Sequence, residues 1–259
     1  MTDPRTSGRL TIVGLGPGDP DWITPAAARA VAEASDVIGY GPYVARLPER
    51  PGQTKHASDN RVELDRSRHA LQLAAEGRTV AVVSGGDPGV FAMAAAVFEA
   101  VEAGDPAWRG LDIRVEPGIS AMLAAASRLG APLGGDFCAL SLSDNLKPWD
   151  VVEKRLRLAL EADLVICLYN PISKARPWQL GRAFEIVREV RAAGSLILLA
   201  RAVGRPDERL AIRNVAEARA EEADMATLVV IGASTTHVIE RPGGAPPWVL
   251  TPRSYGAPA

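Results

Sequence analysis

Three short stretches of this 259-residue chain join glycine, proline and a carboxylate in a way that suits ligand binding: GLGPGD (14–19), SGGDPG (84–89) and EPGIS (116–120). Each follows an apolar run that reads as a buried strand. Glycine permits positive φ and lets a ligand come close to the main chain. A helix that follows such a turn offers free N–H groups and partial positive charge to an anion. In open α/β sheets ligands sit beyond the carboxyl ends of the strands. One such turn would pass as a tight bend; three in one chain read as a site. Nucleotide loops do not fit. Gly14, Gly16 and Gly18 give G-x-G-x-G rather than G-x-G-x-x-G, Pro17 removes an N–H where a pyrophosphate wants donors, and no G-K-[ST] is present.

These turns need elements to hold them. Residues 10–16, 36–40, 79–84, 112–118, 137–143, 164–169, 195–203 and 227–234 read as strands, with 209–215 as a candidate hairpin strand. Residues 23–35, 62–77, 89–104, 119–130, 149–162, 177–194 and 215–223 read as helices. Thr24 is placed to cap the first helix, with Pro25 at its first position; Gly77 and Gly130 are natural stops. Strands alternating with helices define an α/β protein with mostly parallel sheets. The alternation runs twice, so two α/β lobes are expected, 1–118 and 119–259, facing each other across a cleft. The Pro/Gly-rich tail from Arg241 is expected to be extended.

Composition narrows the classes. The formal charge of −2 favours neither a nucleic-acid partner nor an acidic tail. Cys138 and Cys167 lie in apolar runs and read as buried thiols. His56, His69 and His237 are scattered, so no metal-binding motif is expected. No apolar run reaches about 18 residues and the N-terminus has no signal-like region, so a cytoplasmic protein without a membrane span is expected. Trp149 and Trp178, each beside a proline at a helix start, read as packing anchors.

Taken together, VGLGPGD, SGGDPGVF and EPGISA, in this order and spacing, resemble the signature set of the tetrapyrrole methylases. These are S-adenosylmethionine-dependent enzymes of cobalamin and sirohaem synthesis. The match runs over about residues 9–234. IGYGPYV (38–44), SDNRVELDRSRHAL (58–71), SLSDNLKPWDVVEKRL (141–156), LYNPISKARPWQL (168–180) and RAVGRPDE (201–208) are similar to the ring-contracting branch.

The resemblance implies a homodimer of two-lobed subunits that binds S-adenosylmethionine and releases S-adenosylhomocysteine. By motif, Pro17, Gly85, Gly86, Asp87, Val90, Ser120 and Ala121 are expected at the cofactor. Asn170, Ala202, Val203 and Thr227 are expected there from the second lobe. Gly16 and Gly18 are expected on the substrate side, with Pro17 bordering both. The implied reaction methylates carbon 17 of precorrin-3B and contracts the macrocycle to precorrin-4; a sister precorrin or cobalt-precorrin is the alternative substrate. The macrocycle is itself the nucleophile, so methyl transfer needs positioning more than a triad. Contraction moves a proton, for which Asp144 and Lys147 are the leading candidates. Asp19, Ser58 and Asp59 follow, and Asp19 has helix capping as its other reading. The substrate's many carboxylates call for basic groups in the loops: Lys147, Lys174, Arg176, Arg201 and Arg205.

Overall fold

A computed structural model describes residues 8–59 and 62–254. Asn60 and Arg61 of the 58–71 stretch, the first seven residues and the last five of the tail lie outside the described residues. The chain divides into two compact units, Met1–Ala121 and Met122–Ala259.

The first unit contains β1 (Arg9–Gly14), α1 (Pro25–Glu33), β2 (Asp36–Tyr40), α2 (Gly41–Val44), β3 (Thr54–Ser58), α3 (Glu63–Ala75), β4 (Thr79–Ser84), α4 (Met93–Ala103) and β5 (Asp112–Glu116). Its sheet runs β3-β2-β4-β1-β5 and every pairing is parallel. The near-continuous apolar strands follow from burial on both faces. Leu10, Ile12, Val80 and Val82 pack on one side with Leu71 and Val97 of α3 and α4. Val13, Val37, Ala81 and Val83 pack on the other with Ala27 and Val31 of α1. α1 starts as its sequence predicts: the Thr24 hydroxyl accepts from the Ala27 N–H at 3.1 Å, and Pro25 opens the helix.

The second unit takes in α5 (Ala121–Leu129) from its second residue onward, then β6 (Gly130–Ala131), β7 (Phe137–Ser141), α6 (Trp149–Glu161), β8 (Val165–Tyr169), α7 (Gln179–Val190), β9 (Leu196–Arg201), β10 (Arg209–Asn214), β11 (Thr227–Ile231), β12 (His237–Ile239) and β13 (Trp248–Leu250). Its main sheet runs β10-β9-β11-β8-β7. Only β7 and β8 pair in parallel; β8–β11, β11–β9 and β9–β10 are antiparallel. This sheet is therefore mixed, where mostly parallel pairing was expected. The link from β9 to β10 is a turn too short for the crossover that parallel neighbours need, which makes 209–214 the hairpin strand. The expected helix at 215–223 is reduced to a 3₁₀ turn at Ala220–Glu222. Its backbone is drawn elsewhere: Val215 and Ala216 N–H groups bond to Ser195 and Ala193, and the Ala218 carbonyl accepts from Arg188. The core of this unit joins Leu156, Leu180 and Phe184 of α6 and α7 to Ile166, Leu168, Ile197, Leu199 and Val229 of the sheet. A small third sheet, β12-β13-β6, gathers the tail onto Gly130 and Ala131. Cys138 is half-buried and Cys167 buried, both as free thiols. Among the described residues no helix is long and apolar enough to cross a membrane.

Candidate functional site

In the first unit β4, β1 and β5 are parallel neighbours, so the three glycine turns lie side by side at one sheet edge. They are joined through main chain. The Leu15 N–H donates to the Ser84 carbonyl at 2.9 Å, and Gly16 and Gly86 exchange N–H···O bonds of 3.1 and 2.9 Å. Both of these glycines have φ near +65°, a conformation that disfavours a side chain. A Cβ on Gly118 would lie 2.2 Å from the Gly86 carbonyl oxygen, and one on Gly14 would lie 2.5 Å from the Gly118 nitrogen. Glycine at 14 and 118 is thus required by backbone-to-backbone contact. Asp87 completes the knot: its Oδ1 accepts from Gly89 N–H at 2.8 Å and its Oδ2 from Gly118 N–H at 3.1 Å. This side chain, expected at the cofactor, fastens the second loop to the third. Gly85 admits the Tyr43 ring, which a Cβ would approach to 2.7 Å. Beside Gly86 an added Cβ would find nothing nearer than 3.9 Å, with Ile119, Ser120 and Ala121 across from it. Val90 and Pro17 are half-buried on their respective loops, and Ser120 is buried.

Asp19 caps the 3₁₀ turn Pro20–Trp22, accepting from the Asp21 N–H at 3.0 Å. Arg46 holds the same loop from below. Its guanidinium donates to the carbonyls of Leu15 (2.9 Å), Gly16 (3.2 Å) and Gly18 (3.3 Å). Ser58 and Asp59 lie at the end of edge strand β3, held by the buried Arg66. Arg66 donates to the Ser58 hydroxyl at 2.9 Å and to the Asp59 carbonyl at 2.5 Å, and its Nη1 lies 3.3 Å from the Met93 sulfur. Arg46 and Arg66 were not anticipated. The cue available for Arg66 was a cation on the apolar face of an amphipathic helix.

In the second unit the carboxyl ends of β7, β8 and β9 and the start of β11 share one edge, with Thr227 in register with Arg201. Asn170, Ala202, Val203 and Thr227 all lie there. Asn170 and Ala202 have φ of +52° and +49°. Non-glycine residues in that region cost energy and cluster at functional turns. Asn170 donates to the Ser141 hydroxyl at 3.0 Å, and Thr227 donates to Asp224 at 2.9 Å. Arg201 was a candidate for ligand carboxylates, but it ends β9 and is paired with Asp224 and Asp207, both at 2.7 Å. These pairs fix the edge. Glu208 accepts from the Gly204 N–H at 2.6 Å and closes the 202–208 turn.

Asp144 and Lys147 sit half-buried on the loop before α6. Gln179, buried at the start of α7, donates to both Asp144 oxygens at 3.2 and 3.1 Å. Burial pushes the Lys147 ammonium below its ordinary pKa, with Arg155 and Arg176 adding to the shift and Asp144 opposing it. Arg176 is buried and donates to the Asn170 carbonyl at 3.0 Å. Lys174 is exposed. Trp149 and Trp178 pack edge-on against each other, with centroids 4.8 Å apart, as anchors for the two helix starts.

Two sheets of unlike topology, the first ending in three interlocked glycine turns, define a two-unit α/β protein whose turns lack the spacing of a nucleotide loop. The chain belongs to the tetrapyrrole (corrin/porphyrin) methylase family, whose model matches residues 9–219. It is 57% identical to a precorrin-3B C(17)-methyltransferase of Sinorhizobium sp. over 96% of this chain and 98% of that one. It is 37% identical to a probable cobalt-factor III C(17)-methyltransferase of Salmonella typhimurium, covering 95% and 99%. The crystal structure of the methyltransferase CobJ matches at 55% identity and a TM-score of 0.90, over 95% of this chain and 100% of that one.

Proposed function

We propose that this chain is an S-adenosylmethionine-dependent methyltransferase of cobalamin biosynthesis. It methylates precorrin-3B at carbon 17 and contracts the ring to give precorrin-4. The observation that carries this reading is full-length similarity, at 57% identity, to a precorrin-3B C(17)-methyltransferase. The lower identity of 37% to the cobalt-factor III relative favours the cobalt-free substrate. The same reading makes the working protein a cytoplasmic homodimer.

The first-unit edge suits a ligand that must lie against main chain. The knot of Gly14, Gly16, Gly86 and Gly118 is held by main-chain hydrogen bonds and close backbone contact, and the open space beside Gly86 faces Ser120 and Ala121. S-adenosylmethionine, when bound, supplies the activated methyl group. Gly85, Gly86, Val90, Ser120 and Ala121 would hold it by backbone approach and shape, with Pro17 at the border and Asn170, Ala202, Val203 and Thr227 as the second-unit set. Gly16 and Gly18 would face the macrocycle. The chain's task in methyl transfer is alignment and exclusion of water, because the macrocycle provides the nucleophilic carbon.

Contraction asks for proton transfer, and Asp144 and Lys147 divide that task by environment. Gln179 donates to both Asp144 oxygens and fixes the carboxylate's orientation on its loop, where this reading uses it as the proton acceptor. Lys147, pushed down by burial and by Arg155, gives up its proton more readily than a solvated lysine. Ser58 and Asp59, with Lys174 and Arg176, are the further substrate-side residues of this reading. Asp19, whose carboxylate accepts from the Asp21 N–H, is the third proton-transfer candidate of this reading.

Incubation with precorrin-3B and methyl-labelled S-adenosylmethionine tests the proposal by mass spectrometry. The expected product carries one labelled methyl and the ring-derived acetyl group. No transfer to precorrin-3B, with S-adenosylhomocysteine binding intact, moves the substrate to a sister intermediate.

A further inference from the structure

Lys147 and Arg176 lie just before two long helices, and the exposed Arg155 lies midway along the first; the charge of each arginine acts on Lys147. α6 starts at Trp149 and α7 at Gln179. The Trp149–Trp178 contact at 4.8 Å and the Gln179–Asp144 hydrogen bonds bring these two starts together within one unit. Neither helix start has a side-chain cap hydrogen bond, so both contribute partial positive charge to this corner.

The charges here are not balanced. Among the described residues, none of Lys147, Arg155 and Arg176 has a carboxylate within ion-pair distance, whereas Arg157 and Arg182 on the same helices pair with Glu153, Glu185 and Glu189. Arg176 is only 7% exposed, and its guanidinium contacts are neutral: the Asn170 carbonyl at 3.0 Å and the Met225 sulfur at 3.7 Å. The nearby acids compensate little. Asp144 offsets part of the charge on Lys147 but forms an ion pair with none of the three cations, and the exposed Asp150 bonds the Val151 N–H. Arg191 provides the contrast, a buried arginine of this unit that is paired with Asp163. Taking a guanidinium out of water without an anion costs several kcal/mol. A fold that does so beside two more unpaired cations is prepared for an anion from outside.

We propose that Lys147, Arg155 and Arg176, with the amino ends of α6 and α7, form a carboxylate subsite for one peripheral acid side chain of the tetrapyrrole. This rests on the proposed function for its ligand. The cofactor's own carboxylate shares the chemistry, so the test separates the two.

Steady-state kinetics with precorrin-3B and calorimetry with S-adenosylhomocysteine are measured for wild type, K147Q, R155Q and the double variant. R176K serves as a charge-conserving probe of Arg176, and K154Q, on the exposed side of α6, as the control. In the double variant KM for precorrin-3B is expected to rise about tenfold, with a shallower dependence on salt. The S-adenosylhomocysteine Kd stays within twofold, and K154Q matches wild type. R176K, which keeps the charge but not the planar fork, is expected to raise KM less than the double variant. KM unchanged in all of these, with wild type active, overturns the subsite and leaves the proposed reaction standing. A weakened cofactor Kd with unchanged KM also overturns it and assigns the cations to the cofactor. If wild type turns over no precorrin-3B, binding of uroporphyrin III decides. Affinity that falls in the double variant retains the subsite and rejects the reaction, and no binding at all rejects both.

Discussion

At the residue scale, the contact between the second and third loops is the most demanding feature of the site. Gly118 approaches the Gly86 carbonyl so closely that a Cβ would stand 2.2 Å from it and 2.9 Å from the Gly14 Cα. Both obstacles are main chain, and neither can swing aside as a side-chain tip would. Gly118→Ala must therefore separate the loops and break the Asp87–Gly118 bond. Overpacking of this kind costs about 1–3 kcal/mol, and the loss falls on the edge proposed to hold the cofactor. We expect urea unfolding to report a destabilisation of about 2 kcal/mol and calorimetry to report at least a tenfold weaker S-adenosylhomocysteine Kd. Wild-type affinity in this variant would show that the knot does not shape the binding edge. The glycines were legible as special from composition and position. Asp87 was legible as important, but its bond to Gly118 was not, because sequence does not reveal that a neighbouring strand's loop offers it an N–H.

At the element scale, the parallel strands were readable because burial on both faces writes an uninterrupted apolar run. β3, TKHAS, was not readable. It is an edge strand with half its surface toward water, and its pairing with β2 is set by tertiary contact. The helix expected from residue 89 starts only at Met93, because Asp87 takes the Gly89 N–H and Phe91 adopts φ of +51°. The opposite end of β2 carries a testable device. Asp36 is 2% exposed and receives hydrogen bonds from Arg78 (2.7 Å) and Ser35 (2.8 Å), with the His56 ring nitrogen at 3.0 Å. Burial alone would raise its pKa; the bonds from Arg78, His56 and Ser35 prevail and hold it at about 2, below the ordinary 3.8. A carboxylate held low in the fold stabilises it above its unfolded pKa and loses that contribution as pH falls through the folded one. The stabilisation is about 2 kcal/mol. It is fully present above about pH 5 and falls away between about pH 4 and pH 2. Asp36→Asn should remove it and flatten the acid limb of the stability curve by that amount. An acid limb identical to wild type would show that Asp36 does not hold this part of the fold.

At the scale of the whole molecule, the α/β class and the family could be read from the chain, while the mixed second sheet could not. A strand of four to seven apolar residues looks the same in either direction, and the direction of β11 is settled by neighbours remote in sequence. The hydrogen bonding of the first loop also bears on whether a dinucleotide can bind there. A dinucleotide needs N–H donors and a helix start just past the first strand. Here the Gly16 N–H is committed to the Gly86 carbonyl, Pro17 has none, and α1 begins only at Pro25, capped by its own Thr24. The pyrophosphate would find the Gly16 donor occupied and no helix start beside the loop. S-adenosylhomocysteine carries no phosphate and makes no such demand. Ligand bound only to the folded state adds about 2.7 kcal/mol at one hundred times Kd, enough to raise the melting temperature by several degrees in a domain of this size. Thermal unfolding with saturating S-adenosylhomocysteine is expected to show that rise, and the same concentration of NAD none. The reverse pattern would mean that the first loop presents its donors outward, contrary to the Gly16–Gly86 bridge, and would return the chain to the dinucleotide-binding class.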